Sequence, residues 1–270
     1  MKLLWIPFML LFVFLYVGCG NAPQGQERPL VVAMELQFPP FEMTDPSGAP
    51  SGISVEIAKG LADYLNRPLK IENTAWTGLI PSLQTGKADL VISSMGITEE
   101  RRKVVDFSCS YGQSGLALLM HKSSKVSGFE DLNHPSVSVA VRSGTIGATI
   151  AREKLPRAKV SCFEDVAACV LEVVQGKADA FIYDSVTVYK NYSKHPATTR
   201  INVTPVPGAG SNWGMAIKKG NRELLDQVNG YIALSLKDKR FDAIARAYLG
   251  EMVSFFEKNN IPFYFDVGEK

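Results

Sequence analysis

The chain is poor in the side chains that carry metal and redox chemistry. It has 3 histidines and 4 cysteines in 270 residues. His121, His134 and His195 show no ligand spacing, so neither a metal nor a cofactor is expected. An excess of one charge is missing too: 29 basic against 27 acidic side chains leave a formal net charge of +2. With no basic stripe and no low-complexity segment, nucleic acid and acidic surfaces are poor partners for this chain. Hydrophobic content of 46% and charged content of 21% are ordinary for a globular protein of one large domain or two smaller lobes.

Long apolar runs are absent except at the start. Leu3 to Val17 is short for a membrane span and fits a secretory leader. Leu15 to Cys19 resembles a bacterial lipoprotein cleavage box, with Tyr16 where an aliphatic residue is usual. The expectation is a leader over 1–19 with Cys19 lipidated, then a polar linker over 20–28; an uncleaved anchor is the alternative. Either way the body lies outside the cytoplasmic membrane, tethered to it. With Cys19 set aside, Cys109, Cys162 and Cys169 are an odd number. Cys162 and Cys169 are expected to be buried small hydrophobes rather than a disulfide.

What is present centres on Asp89 to Phe107. A short apolar run, Leu90 to Ile92, reads as a buried strand and ends in Ser93, Ser94 and Gly96. Thr98 stands at a helix N-cap, with Glu99, Glu100 and Arg101 in the turn behind it. Hydroxyls, free backbone N–H groups and a guanidinium make a carboxylate receptor. The bland alternative is that the serines only close a strand and Arg101 faces solvent.

A second copy of the pattern favours the receptor. Leu83 to Ser94 (LQTGKADLVISS) resembles Val173 to Ser185 (VVQGKADAFIYDS). Ligands of parallel α/β sheets bind beyond the carboxyl ends of strands. Two such units would present Ser93, Ser94 and Arg101 from one sheet and Tyr183 and Asp184 from another. One side suits a carboxylate and the other an ammonium, which is a receptor for the head of a free amino acid.

In chain order, the patterns predict strands over 29–35 and 69–72, helices over 54–65 and 79–85, and an extended Phe38-Pro39-Pro40-Phe41. Asp45 to Gly48 reads as a hairpin tip. A strand over 116–120 follows, then a capping box at Ser127 to Glu130. Next come strands over 137–141, 159–163 and 178–183, with helices over 147–155 and 165–175 between them. Strands over 199–203 and 213–217 and helices over 222–236 and 240–248 complete the pattern. The simplest arrangement is two α/β lobes with crossings near 112–117 and 205–213. Lobe 1 would take 29–114 and 210–270, lobe 2 would take 115–209, and the ligand would sit in the hinged cleft between them.

Phe38 to Phe41, Gly96 to Arg101, Asp106 to Ser108, and Gly176 to Asp184 together resemble the bacterial extracellular amino-acid-binding proteins that feed ABC importers, solute-binding family 3. The resemblance spans roughly 30–250. It implies a type II periplasmic-binding-protein fold: each lobe a mixed β-sheet flanked by helices, joined by a two-strand hinge. It also implies a monomer with a membrane permease as partner. Arg101 would clamp the ligand carboxylate with Ser94 and Gly96, Asp184 would take the ammonium, and Phe38 and Trp76 would stack on the ligand unless they are core residues. Gly96 stands where many members have Thr or Ser, and Ile146 follows Gly144-Thr145 where others have Thr, Ser or Gly. That leaves backbone donors at Thr145 and Ile146.

Glu35 matches an acidic position of members for basic amino acids and glutamine, and Arg142 matches a lysine of the glutamine-binding member. Glu35 would repel an acidic ligand and Arg142 a basic one, while an amide can donate to the first and accept from the second. L-Glutamine is therefore the expected ligand. Arginine or lysine is the alternative ligand; for the two residues themselves, the alternative is that Glu35 and Arg142 pair with each other or face solvent. A dehydratase with Glu35 as its acid or base, or a sensor or adhesin module, are more distant readings, and no enzyme activity is expected.

Overall fold

The computed structural model describes residues 28–204, 206, 209–250, 252–258, 264 and 265. The leader, Cys19 and most of the linker lie outside the described residues. β1 (Leu30–Met34) is a nearly unbroken buried apolar run, as a strand covered on both faces must be. β2 (Gln37–Phe38), β3 (Glu42–Thr44) and β4 (Pro50–Ser51) make a small antiparallel sheet beside it. α1 (Ile53–Tyr64) follows and buries Ile53, Ile57, Ala58 and Leu61, spaced by three and four residues. β5 (Leu69–Asn73) runs parallel to β1, and a 3₁₀ turn at Trp76–Gly78 leads into α2 (Leu79–Gln84). β6 (Leu90–Val91) flanks β1 on the other side. The hydroxyl of Thr98 accepts the Arg101 N–H to cap α3 (Glu99–Arg102), and β7 (Val105–Phe107) follows.

The chain leaves lobe 1 through β8 (Gly112–Ser114) and enters β9 (Leu116–His121). Lobe 2 continues with β10 (Ser138–Arg142), α4 (Ile146–Lys154), β11 (Lys159–Phe163), α5 (Val166–Val174), β12 (Ala180–Asp184), α6 (Ser185–Lys194) and β13 (Thr199–Asn202). The return strand β14 (Ser211–Trp213) pairs antiparallel with β8, so the two crossings lie side by side. β15 (Ala216–Lys218) rejoins the first sheet, and α7 (Arg222–Lys237), α8 (Arg240–Leu249) and α9 (Met252–Lys258) pack on lobe 1. The sheet orders are β5-β1-β6-β15-β7 and β11-β10-β12-β9-β13, each mixed. This is the two-lobed type II architecture.

The internal repeat is structural. Gly86 and Gly176 both end a helix with positive φ, at 74° and 70°. Asp89 Oδ2 accepts the Val31 N–H at 3.0 Å, and Asp179 Oδ2 accepts the Ser138 N–H at 2.9 Å. In each lobe the Lys-Ala-Asp segment thus ties one strand to the start of its neighbour.

Several expectations are corrected. Pro39-Pro40 turns rather than extends: its peptide bond is cis and Phe41 N donates to Phe38 O at 2.9 Å. The acid at the start of the 129–132 turn is Asp131, which accepts from Ser127 N and Gly128 N, not Glu130. The strand read over 213–217 is broken at Gly214 and Met215, its two halves serving the hinge and the first sheet. α6 had no counterpart in the sequence reading. Cys162 is exposed because β11 is an edge strand, while Cys169 is buried as expected; neither forms a disulfide.

Candidate functional site

One cavity lies between the lobes at the carboxyl ends of β1, β6, β10 and β12, where a switch in strand order opens a crevice. It is lined by Glu35, Phe38, Trp76, Ser93, Ser94 and Gly96 from lobe 1, and by Arg142, Thr145, Ile146, Tyr183 and Asp184 from lobe 2. Eleven of the twelve residues expected at the ligand thus come together, and Arg101 alone is absent from the wall. The wall also includes Ser114, Leu116, Gly147 and Trp213, which the sequence reading did not assign. Their one usable signal was position: Ser114, Leu116 and Trp213 sit at the predicted crossings. A larger groove on lobe 1, past Glu72, Asn73 and Lys87, contains no buried charge.

Asp184 ends β12 and caps α6, its Oδ1 accepting the Thr187 N–H at 3.0 Å. Its Oδ2 is buried and has no hydrogen-bond partner among the described residues. Burial raises the Asp184 pKa to about 6, against the lowering effect of Thr187. A carboxylate with one satisfied and one unsatisfied oxygen is suited to an incoming ammonium.

Arg101 sits behind the wall. Its Nη1 donates to Gly96 O at 2.6 Å, its Nη2 to Gly144 O at 2.9 Å, and its guanidinium lies 5.3 Å from the Trp76 ring centre. No carboxylate among the described residues pairs with it, and burial pulls its pKa down to about 10. The clamp drawn from the sequence is therefore turned aside in this structure, onto one carbonyl from each lobe. Trp76 Nε1 donates to the same Gly144 carbonyl at 3.1 Å. Gly144 has φ of 69°, and a Cβ there would sit 3.2 Å from Trp76 Nε1.

Glu35 and Arg142 face each other across the cleft. Arg142 Nη2 donates to Glu35 Oε1 at 2.5 Å, with side chains only 5% and 7% exposed. Arg142 is further held by Glu164 O at 3.1 Å and the Tyr183 hydroxyl at 3.4 Å, and Glu35 Oε1 also accepts the Trp76 N–H at 3.1 Å. Burial lowers the Arg142 pKa, but its bonds to Glu35 and Tyr183 outweigh that and the net direction is up. Of the two arrangements open from the sequence, this structure has the mutual pair.

The serines have different tasks. Ser93 Oγ accepts the Glu35 N–H at 3.0 Å and ties β6 to the end of β1. Ser94 adopts φ of 47°, and its Oγ donates to Glu42 Oε2 at 3.2 Å. Glu42 is fully buried, burial holds its carboxyl well above the usual range, and its Oε1 has no hydrogen-bond partner among the described residues. Thr145 caps α4 through its hydroxyl, and Ile146 and Gly147 in the first turn border the cavity, where free N–H groups attract a carboxylate. Phe38 stacks on Phe41 at 5.2 Å and meets the edge of Tyr183 at 6.2 Å. The described residues contain no cluster of three or more metal-ligating side chains and no helix long and apolar enough to cross a membrane.

The model of the bacterial extracellular solute-binding proteins, family 3, matches residues 30–251. The ABC transporter glutamine-binding protein GlnH of Bacillus subtilis (strain 168) is 34% identical over 221 residues, covering 78% of this chain and 77% of that protein. The crystal structure of the ancestral amino acid-binding protein AncCDT-1, a precursor of cyclohexadienyl dehydratase, superposes with a TM-score of 0.73 at 38% identity, covering 82% of this chain and 94% of that one. An ancestral arginine-binding protein bound to glutamine gives a TM-score of 0.74 at 32% identity, covering 83% and 98%.

Proposed function

Since the chain belongs to the bacterial extracellular solute-binding proteins, family 3, we propose that it binds a free L-amino acid with a neutral polar side chain, L-glutamine foremost, and delivers it to the permease of an ABC importer. The observation that carries this reading is the contrast in charge along the cavity. Among the described residues Asp184 Oδ2 has no hydrogen-bond partner and the Arg101 guanidinium no carboxylate partner, matching an ammonium and a carboxylate, whereas Glu35 and Arg142 already neutralise each other. A charged ligand side chain would have to break that buried pair, and an uncompensated buried charge is costly. An amide can join it, donating to Glu35 and accepting from Arg142. The glutamine-binding relative supports the choice.

A basic ligand is the second reading, favoured by the solved arginine-binding relative that also accommodates glutamine. The transport relatives support a binder rather than an enzyme, and Glu35, the acid or base a dehydratase would call on, is engaged by Arg142 and Trp76. Lobe boundaries at 29–114 with 210–270, and at 115–209, belong to the same proposal, as do lipidation of Cys19 and anchoring outside the cytoplasmic membrane. Calorimetric titration of ligand-stripped protein with glutamine, glutamate, arginine, lysine and cystine tests the ligand; a preference for arginine would replace glutamine with the second reading. Detergent partitioning of wild type and Cys19→Ser tests the anchor, and equal partitioning would remove it.

A further inference from the structure

The family match ends at residue 251, yet residues beyond it are built into the back of the binding site. Tyr264 is 1% exposed. Its ring lies 4.8 Å from Phe41 of lobe 1 and 5.2 Å from Trp213 of the returning hinge strand. Its carbonyl accepts the Gln113 N–H of the outgoing hinge strand at 2.7 Å. Its hydroxyl is 3.3 Å from Ser185 Oγ, in the first turn of α6 in lobe 2 and adjacent in sequence to Asp184. Gly112 admits this approach: a Cβ there would lie 3.2 Å from Tyr264 O and 3.4 Å from the Phe265 ring.

The contact with lobe 2 is more than one hydroxyl. Phe255 of α9 lies 4.1 Å, centre to centre, from Tyr189 of α6, one helical turn beyond Ser185 on the same face. Val186 of α6 is fully buried in the cluster that also holds Phe41, Trp213, Phe256 and Tyr264, so the start of a lobe 2 helix is seated in the lobe 1 core. A segment serving only lobe 1 would have no reason to touch Ser185 and Tyr189. Any rotation of lobe 2 about β8 and β14 must move those residues against Tyr264 and Phe255.

We propose that α9 and Tyr264 form a strap that fastens the start of α6 to the hinge, positions Asp184 for the ligand's ammonium, and favours the closed arrangement of the lobes. Tyr264 and Phe255 are positioning residues: neither lines the cavity, and both act through α6. The ammonium role of Asp184 rests on the function proposed above, whereas the bias toward closure does not.

The full chain carrying Tyr264→Phe or Phe255→Ala tests this against wild type, with Phe255→Leu as a milder variant should the alanine protein fail to fold. The readouts are the radius of gyration of ligand-free protein by small-angle scattering, the affinity and dissociation rate of L-glutamine, and the melting temperature. A larger ligand-free radius in the Phe255 variant is expected, and in both variants an affinity lower by about fivefold to tenfold, from faster dissociation. Wild-type radius and wild-type affinity in both variants, whatever happens to melting, would overturn the strap and leave these residues as ordinary core. If glutamine does not bind wild type either, the ligand assignment fails, and the ligand-free radius alone decides the strap.

Discussion

Two pairs of charged residues about the cavity are handled in opposite ways. Glu35 and Arg142 close on each other at 2.5 Å and are further fixed by Glu164, Tyr183 and Trp76. Asp184, in the wall, keeps one oxygen without a hydrogen-bond partner among the described residues, and Arg101, behind the wall, donates to the carbonyls of Gly96 and Gly144. Isolated charges in a low-dielectric cleft are tolerated where something else supplies the countercharge. On the proposed function, the unequal treatment says which pair is complete and which awaits a zwitterion. It also separates what every amino acid shares from what distinguishes one from another.

The harshest way to break the contrast is to remove the waiting charges. Asp184→Ala, or Arg101→Ala, should weaken glutamine binding by more than about a hundredfold, since each strands a desolvated ligand charge. Calorimetry finding either variant within about threefold of wild type would mean the head group binds elsewhere. Next comes the completed pair. Arg142→Ala leaves Glu35 buried and alone, so glutamine affinity should fall roughly tenfold while arginine and lysine gain relative to it. An unchanged ranking in competition titrations would exclude the pair from specificity.

A gentler lever is pH. Burial raises the Asp184 pKa to about 6, so below that value the ligand-free carboxyl protonates and must ionise to receive an ammonium. Affinity should be flat above neutrality and decline by about tenfold per pH unit once well below 6, with proton release on binding. Because the folded-state pKa is above the unfolded one, the same group costs the empty protein stability above 6, and that cost disappears as pH falls. Titrations in buffers of different ionisation enthalpy would show the affinity change and the proton release, and melting of the ligand-free protein over the same pH range the stability change; Asp184→Asn should abolish both slopes. The smallest effect is expected at Glu42, a buried carboxyl outside the cavity wall whose pKa burial raises. Glu42→Gln keeps the acceptor for Ser94 and should leave affinity within about twofold of wild type. A loss rivalling that of Asp184→Ala would show that Glu42 carries charge in the site.

Much of this layout was legible in the sequence because local rules and tertiary demands agreed. The Gly-Lys-Ala-Asp repeats, the Thr98 cap and the apolar runs at β1 and β10 each specify the element that forms. α6 was missed because Ser185 to Lys194 is rich in β-branched and polar residues with weak helical preference, and its start depends on Asp184, already taken for a ligand group. Cys162 read as core since its strand pattern does not reveal that β11 is an edge. The Arg101 bond to Gly144 is a contact between lobes, and no spacing within one lobe could encode it.

The pairing of β8 with β14 places lobe 2's way out of lobe 1 beside its way back. In evolutionary and engineering terms that makes lobe 2 a cassette: an inserted unit whose two joints are neighbours, so it can be exchanged for a relative's without rerouting the host. Asp184 would travel with the cassette and Arg101 would stay behind, so on the proposed function a chimera would be assembled from halves of two binding sites. Its fit would also depend on the surface formed by Ser185, Val186 and Tyr189, which the host's final helix and Tyr264 grip from outside the cassette. A donor lobe lacking that surface would be connected correctly yet ride loose on its host.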